Sequence, residues 1–156
     1  MALSSEGLDD MEERNIDTWE ERHRIGDESE LRWQSRLKEI GIESDILAHE
    51  GHRPDIRTEN DAIYQVKNCL AYNHNYPGLL CEENSYNECL RRERAGEDVW
   101  MVFETRYGWR IQRPSGLVVV RDPRVYERGS PTLAYIFDYD STVGWIEESG
   151  FRACIF

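Results

Sequence analysis

Five consecutive apolar residues at positions 99–103, Val-Trp-Met-Val-Phe, limit the folds open to this chain more than any other feature. A strand without polar alternation must be covered on both faces, as happens in the middle of a sheet that has further layers on each side. With 156 residues, one domain can bury such a strand. We therefore expect a mixed α/β domain with a central sheet.

Two helix signals precede this strand in the sequence. The first predicted helix covers residues 28–40, with Asp27 as its N-cap and Gly41 as its stop. Three of its apolar residues share one face: Trp33, Leu37 and Ile40. A second helix is predicted at residues 85–95. Residues 1–26 are strongly charged and are expected to form a loose arm or an accessory helix, which leaves residues 27–156 as the domain.

Strand signals fill much of the remaining chain. A β-hairpin is predicted from residues 55–57 and 62–67, with a turn between them. The other predicted strands are residues 42–47, 109–112, 117–121, 133–137 and 151–156. Residues 68–84 are expected to be irregular, and a short helix is expected after Ser141.

The predicted hairpin carries three polar residues on two neighbouring strands. Nine residues separate Asp55 from Gln65, and Lys67 follows two positions later. Because side chains alternate along a strand, Gln65 and Lys67 project from the same face. The hairpin brings Asp55 beside them. The sequence thus predicts that a carboxylate, an amide and an ammonium group converge at one edge of the sheet.

Hydrolysis of a phosphodiester needs these three groups. Asp55 is a hard oxygen ligand for Mg²⁺, and the side-chain oxygen of Gln65 can supply a second, neutral ligand. A metal bound there would polarise the phosphoryl oxygen and lower the pKa of its water. Lys67 can orient the attacking water and stabilise charge that develops on the phosphate.

Pro54-Asp55 followed by Gln65-Val66-Lys67 resembles the motif of the PD-(D/E)XK nuclease superfamily, with Gln in place of the usual acidic residue. The predicted order of helix, strand, hairpin, helix and buried strand also matches, over roughly residues 27–104. Residues 30–41 are similar to the first helix of archaeal Holliday-junction resolvases, in which a Glu opens the helix and a Gly closes it.

This resemblance implies a restriction-endonuclease-like mixed central sheet flanked by helices, with a strand-rich C-terminal extension over residues 105–156. It implies Glu30, Asp55 and Gln65 as ligands of Mg²⁺ or Mn²⁺, with these residues and Lys67 as the catalytic set. It further implies DNA as the substrate and a homodimer as the oligomeric state.

The hairpin residues also have purely structural interpretations. Asp55 follows a proline and precedes a strand, so it could be an ordinary turn residue. Gln65 and Lys67 could form the solvated face of an edge strand.

The remaining candidates near the motif have alternatives as well. Glu30 lies three residues after Asp27, which is the spacing of a capping box. Glu28 would then replace it as the metal ligand. His49 and His52 precede the motif in a predicted loop. They could contact phosphate or metal, or be exposed without a role.

Two further segments could contact nucleic acid. Residues 72–76, Tyr-Asn-His-Asn-Tyr, combine polar groups with aromatic rings able to stack on bases, and Tyr72 and His74 are the candidates. A surface loop whose tyrosines pack inward is the alternative. Arg91 and Arg92 on the second helix could follow a DNA backbone, or form a solvated helix face.

The four cysteines occupy positions 69, 81, 89 and 154 and form no CxxC pair, so a zinc site is weakly supported. A four-cysteine iron–sulfur cluster, which some nucleases of this type carry, is an alternative to buried reduced thiols. No apolar run approaches the roughly 18–20 residues of a membrane span, and the N-terminus lacks the pattern of a secretory signal. We expect an intracellular protein that does not bind membranes.

The overall charge opposes the binding of a polyanion. There are 31 acidic and 19 basic residues, which gives a net charge of −12. We weigh three hypotheses: a metal-dependent DNA endonuclease of recombination, repair, restriction or mobile-element processing; an inactive nuclease-like binding or assembly module; and an acidic DNA-mimic inhibitor. The Gln variant motivates the second hypothesis, and the charge motivates the third.

Overall fold

The computed structural model describes residues 19–47, 55–70, 72, 78–126 and 132–144. Within these ranges there are two α-helices, α1 (Trp19–Glu39) and α2 (Glu83–Arg94). The strands there are β1 (Ser44–Ile46), β2 (Ile56–Thr58), β3 (Ala62–Cys69), β4 (Leu79–Glu82), β5 (Asp98–Thr105), β6 (Gly108–Gln112), β7 (Val119–Tyr126), β8 (Thr132–Phe137) and β9 (Val143–Gly144).

The larger sheet has six strands in the order β1-β2-β3-β5-β6-β9. Strands β3 and β5 pair in parallel, and each of the other neighbours pairs antiparallel. Helix α2 lies in the connection between the two parallel strands, as a crossover requires. The predicted mixed α/β architecture is confirmed, together with the order of helix, strand, hairpin, helix and buried strand that the resemblance implied.

The central strand β5 is covered on both faces. Trp100 and Val102 belong to the cluster that includes Trp33 of α1. Met101 and Phe103 belong to the cluster on the opposite face. That second layer is built by α2 and by a three-stranded sheet of order β4-β8-β7. The prediction of a doubly buried strand is therefore confirmed.

The start of the first helix was predicted wrongly. Helix α1 begins at Trp19 and runs without a break through Asp27, which is therefore not an N-cap. Arg24 pairs with Glu21 at 2.6 Å and with Glu28 at 3.0 Å, so polar contacts one turn apart support this part of the helix. The predicted stop is confirmed, because Gly41 adopts a φ of +85° just beyond the end. The division of the chain at residue 26 stays a prediction.

Three other predictions need correction. Residues 68–84, predicted to be irregular, contain the end of β3 and the whole of β4. The strand predicted at residues 117–121 begins two residues later and continues to Tyr126 through Pro123, which an edge strand such as β7 tolerates. Instead of a helix after Ser141, a 3-10 turn ends there and β9 follows. The strand predicted at residues 151–156 lies outside the described residues.

The remaining predicted elements are confirmed to within two residues at each boundary. In the part of the chain that the structure describes, no helix is both long enough and apolar enough to cross a bilayer.

Candidate active site

Asp55 lies immediately before β2 and is held against β3. Its carboxylate oxygen Oδ2 accepts hydrogen bonds from Gln65 Nε2 at 2.8 Å and from the backbone N–H of Val66 at 2.9 Å. Its own backbone N–H donates to the carbonyl of Tyr64 at 3.1 Å. Only 5% of the residue is exposed. The side chain of an ordinary turn residue would be solvated, whereas that of Asp55 is buried and held by two hydrogen bonds. The interpretation of Asp55 as an ordinary turn residue is therefore wrong.

Glu30 approaches the same carboxylate from α1. It is buried and forms a side-chain hydrogen bond with Asp55. Burial raises the pKa of Glu30 to about 9, and the neighbouring charge of Asp55 adds to the effect. Two carboxyl groups in such contact share a proton at neutral pH. The capping-box interpretation of Glu30 is wrong, because Asp27 lies inside the helix.

Gln65 is buried on β3, the third of six strands, so its interpretation as part of a solvated edge strand is wrong. Its amide nitrogen donates to Asp55, while its amide oxygen accepts from Cys89 Sγ at 4.0 Å. The oxygen that was expected to bind metal therefore faces away from the carboxylate. A half-turn of the amide group about the Cγ–Cδ bond of Gln65 would exchange the positions of the amide nitrogen and oxygen.

Lys67 lies two residues further along β3 and forms an ion pair with Glu82, with Nζ and Oε1 at 2.8 Å. The lysine side chain is 18% exposed. Burial by itself would lower the pKa of Lys67, but Cys81, Glu82 and Asp55 favour the ammonium form and the net effect is a raised pKa. The lysine is thus charged at neutral pH.

Glu82 is a site residue that the sequence did not reveal. It is the last residue of β4, a strand that was predicted to be irregular chain. In the sequence it lay within the segment predicted to be irregular, three residues before the predicted helix, and nothing local set it apart from other acidic residues near helix starts.

The donor set fits a hard divalent cation. Mg²⁺ is held by one or two protein carboxylates and keeps several waters, which matches Glu30 and Asp55 with the Gln65 amide beside them. Among the described residues, no group of three or more His, Cys, Asp or Glu side chains is placed to hold a metal ion. Any ion at this site would therefore depend on the two carboxylates, the amide and solvent.

Tyr72, a candidate for stacking on bases, packs into the protein. Its ring is stacked on Tyr139 with centroids 4.9 Å apart and meets Tyr107 edge-on. Tyr72 therefore has the inward-packed arrangement, the alternative to stacking on bases. His74, His49 and His52 lie outside the described residues.

Two arginines of α2, Arg91 and Arg92, are paired with acids of the same region. Arg91 and Arg92 both contact Glu88, at 2.7 and 2.8 Å, and Arg92 also contacts Glu97 at 3.2 Å. Their charges are therefore largely compensated on the helix surface, as expected for a solvated face. A role in following a DNA backbone stays a prediction.

Three of the four cysteines are buried free thiols: Cys69, Cys81 and Cys89. Burial raises the pKa of Cys69 to about 11 and that of Cys89 to about 12, so both are protonated and unreactive at neutral pH. The expected burial of the thiols is confirmed for these three. Cys154 lies outside the described residues.

No family model matches this sequence, and no curated protein does so. Among solved structures, the chain is similar to Hjc, a Holliday junction resolvase from the archaeal hyperthermophile Archaeoglobus fulgidus. The identity is 16%, the TM-score is 0.48, and the match covers 76% of this chain and 90% of that one. At that score and identity, the likeness carries no conclusion about activity.

Proposed function

We propose that this protein is an endonuclease that uses Mg²⁺ or Mn²⁺ to hydrolyse phosphodiester bonds in DNA. The observation that carries the proposal is the buried contact of Asp55 with both Glu30 and Gln65, next to the ammonium group of Lys67. Two buried carboxyl groups in contact destabilise a fold unless a cation or a proton separates their charges. Such an arrangement is typical of a functional site.

Each residue has a defined role in this proposal. Glu30 and Asp55 would hold the metal, and the Gln65 oxygen would join them after the half-turn of its amide. The bound metal would polarise the phosphoryl oxygen and lower the pKa of its water. The backbone N–H of Val66 keeps Asp55 in place. Lys67 would hold the attacking water and one phosphate oxygen.

The acidic surface predicts that DNA binding depends on the metal. A net charge of −12 repels the substrate, and only local positive charge can offset it. A divalent ion between Glu30 and Asp55 supplies such charge beside Lys67. A homodimer would place two of these sites on the two strands of a duplex, and we retain it as part of the proposal.

The proposal is tested by nicking of supercoiled plasmid and cleavage of labelled linear and branched DNA, with Mg²⁺ or Mn²⁺. We expect Asp55→Asn and Lys67→Met each to lower the rate at least about a hundredfold. Lys38→Met is the matched control, because Lys38 is the other lysine of the chain and is exposed on α1. Cleavage that survives both site substitutions would rule out this active site.

A second candidate function is a nuclease-like module that binds or assembles without catalysis. It is favoured by the Gln65 amide nitrogen, rather than the oxygen, pointing at Asp55. This candidate predicts no cleavage and no rise in melting temperature with metal. Gln65→Glu restores the acidic residue that the resemblance leads one to expect. Cleavage by that variant, with none by the wild type, would identify the chain as an inactive relative.

A further inference from the structure

The side chain of Glu82 is directed away from the helix that it precedes. Glu82 occupies the N-cap position of α2, and its side chain makes no capping hydrogen bond there. The side chains that usually cap a helix, those of Ser, Thr, Asp and Asn, accept from its first N–H groups. Here the carboxylate reaches Lys67 on β3 instead. The contact joins two residues that are 15 positions apart in the sequence.

The side chains of Glu82 and Lys67 differ in their exposure to solvent. The side chain of Glu82 is 48% exposed, whereas that of Lys67 is 18% exposed. The carboxylate therefore lies on the solvent side of the ammonium group. Carboxylate and phosphate oxygens are both negatively charged, and they bind ammonium groups at similar distances. A phosphate that approaches Lys67 from solvent meets Glu82 at the place where its own oxygen would bind.

We propose that Glu82 acts through Lys67 as an internal competitor of the substrate phosphate: it holds the ammonium group in the free protein and must yield it when DNA binds. The inference rests on the proposed function, because it assigns the position of the Glu82 carboxylate as the phosphate subsite of that active site. It explains why an acidic residue lies beside the lysine of a protein that handles a polyanion. Glu82 contributes selectivity, since only a phosphate bound strongly enough displaces it.

The experiment uses the full chain labelled with ¹³C at the lysine ε carbons. The chain has two lysines, so Lys67→Arg assigns both signals. A short DNA duplex is titrated at low salt, with Ca²⁺ in place of Mg²⁺ to slow hydrolysis. Glu82→Gln removes the competing charge. Glu83→Gln removes one charge at the next residue, which has no described contact with Lys67, and is the charge-matched control.

We expect the Lys67 signal of Glu82→Gln to respond at a DNA concentration roughly fivefold lower than in the wild type. In the wild type, the Glu82 carboxylate that DNA binding frees takes up about one cation and so offsets one released counterion. In Glu82→Gln this uptake is lost, so the plot of log K against log salt concentration should steepen by about 0.9. Glu83→Gln should match the wild-type slope. Equal effects of the two variants would show a general influence of charge and overturn the proposal, as would a Lys67 signal that DNA never moves.

Steady-state kinetics test the role of Glu82 as a competitor separately from the proposed endonuclease function. In an active enzyme, Glu82→Gln should lower KM several-fold and leave kcat within about twofold, because the site loses a competitor and no reacting group. A lower kcat with an unchanged KM would contradict the inference. If the wild type cleaves no DNA, the proposed endonuclease function fails, while the Lys67 titration still decides whether Glu82 competes with phosphate.

Discussion

Replacing Glu30 by Gln should stabilise the metal-free protein, and the gain should grow with pH. In the folded protein the pKa of Glu30 is raised to about 9 from an ordinary value of 4.5. Between these values the folded state keeps a proton that the unfolded state releases, so stability falls as the pH rises from about 4.5 to about 9. Gln keeps the shape and a hydrogen-bond donor toward Asp55, and it has no proton to lose.

The size of the effect follows from the shift. Each pH unit above 4.5 removes about 1.36 kcal/mol, which gives an upper limit of about 3 kcal/mol at pH 7 and less than about 1 kcal/mol at pH 5. Relaxation of the fold and penetration of water reduce the cost of burying a charge, which lowers the value at pH 7 to about 2 kcal/mol. The free-energy gap between Glu30→Gln and the wild type should therefore widen by about 1–2 kcal/mol from pH 5 to pH 7.

Urea unfolding in EDTA at the two pH values measures this gap directly. Glu28→Gln is the matched control on the same helix, because the Glu28 side chain is 45% exposed and pairs with Arg24 at the surface. Its gap to the wild type should stay within about 0.5 kcal/mol at both pH values. A gap for Glu30→Gln that does not change with pH, or that changes equally in Glu28→Gln, would refute the reasoning about the buried carboxyl pair.

Three further predictions concern the metal and the packing. Mg²⁺ should raise the melting temperature of the wild type but not of Asp55→Asn, which thermal melts would check. The affinity of the wild type for Mg²⁺ should fall about tenfold per pH unit below about 9, because a proton competes for Glu30, and calorimetry would measure this. Gly78→Ala should lower the melting temperature by several degrees, because its Cβ would collide with the Phe137 carbonyl oxygen, whereas Gly26→Ala in α1 meets no atom and should add about 0.5–1 kcal/mol. Leu37→Ala should lower the free energy of unfolding, measured by urea denaturation, by about 2–5 kcal/mol, since the Leu37 side chain on α1 is fully buried in the core.

Strands whose signals lie within a few consecutive residues could be predicted from the sequence. Residues 99–103 predicted a doubly buried strand because no polar residue interrupts them. The hairpin was predictable from the turn at residues 58–61, where Asp61 adopts a φ of 65°. Period-two alternation on β3 then placed Gln65 and Lys67 on one face, and the structure brings Asp55 against Gln65.

Elements that depend on distant partners escaped prediction. Strand β4 has four residues and is fixed by pairing with β8, where Leu79 lies opposite Phe137. Nothing in the local sequence encodes that partner, and missing β4 also hid Glu82 at its end. The continuity of residues 19–26 with the rest of α1 was not predicted, because ion pairs of Arg24, rather than an apolar face, support those turns. The orientation of the Gln65 amide depends on Cys89, 24 residues away.

The proposed metal site is tested most directly by a crystal soaked in Mn²⁺ and measured at the manganese absorption edge. We predict an anomalous peak about 2.1 Å from carboxylate oxygens of both Glu30 and Asp55, with the Gln65 amide turned so that its oxygen faces the ion. A soaked crystal with no peak between these residues, in which the Gln65 nitrogen still donates to Asp55, would contradict it.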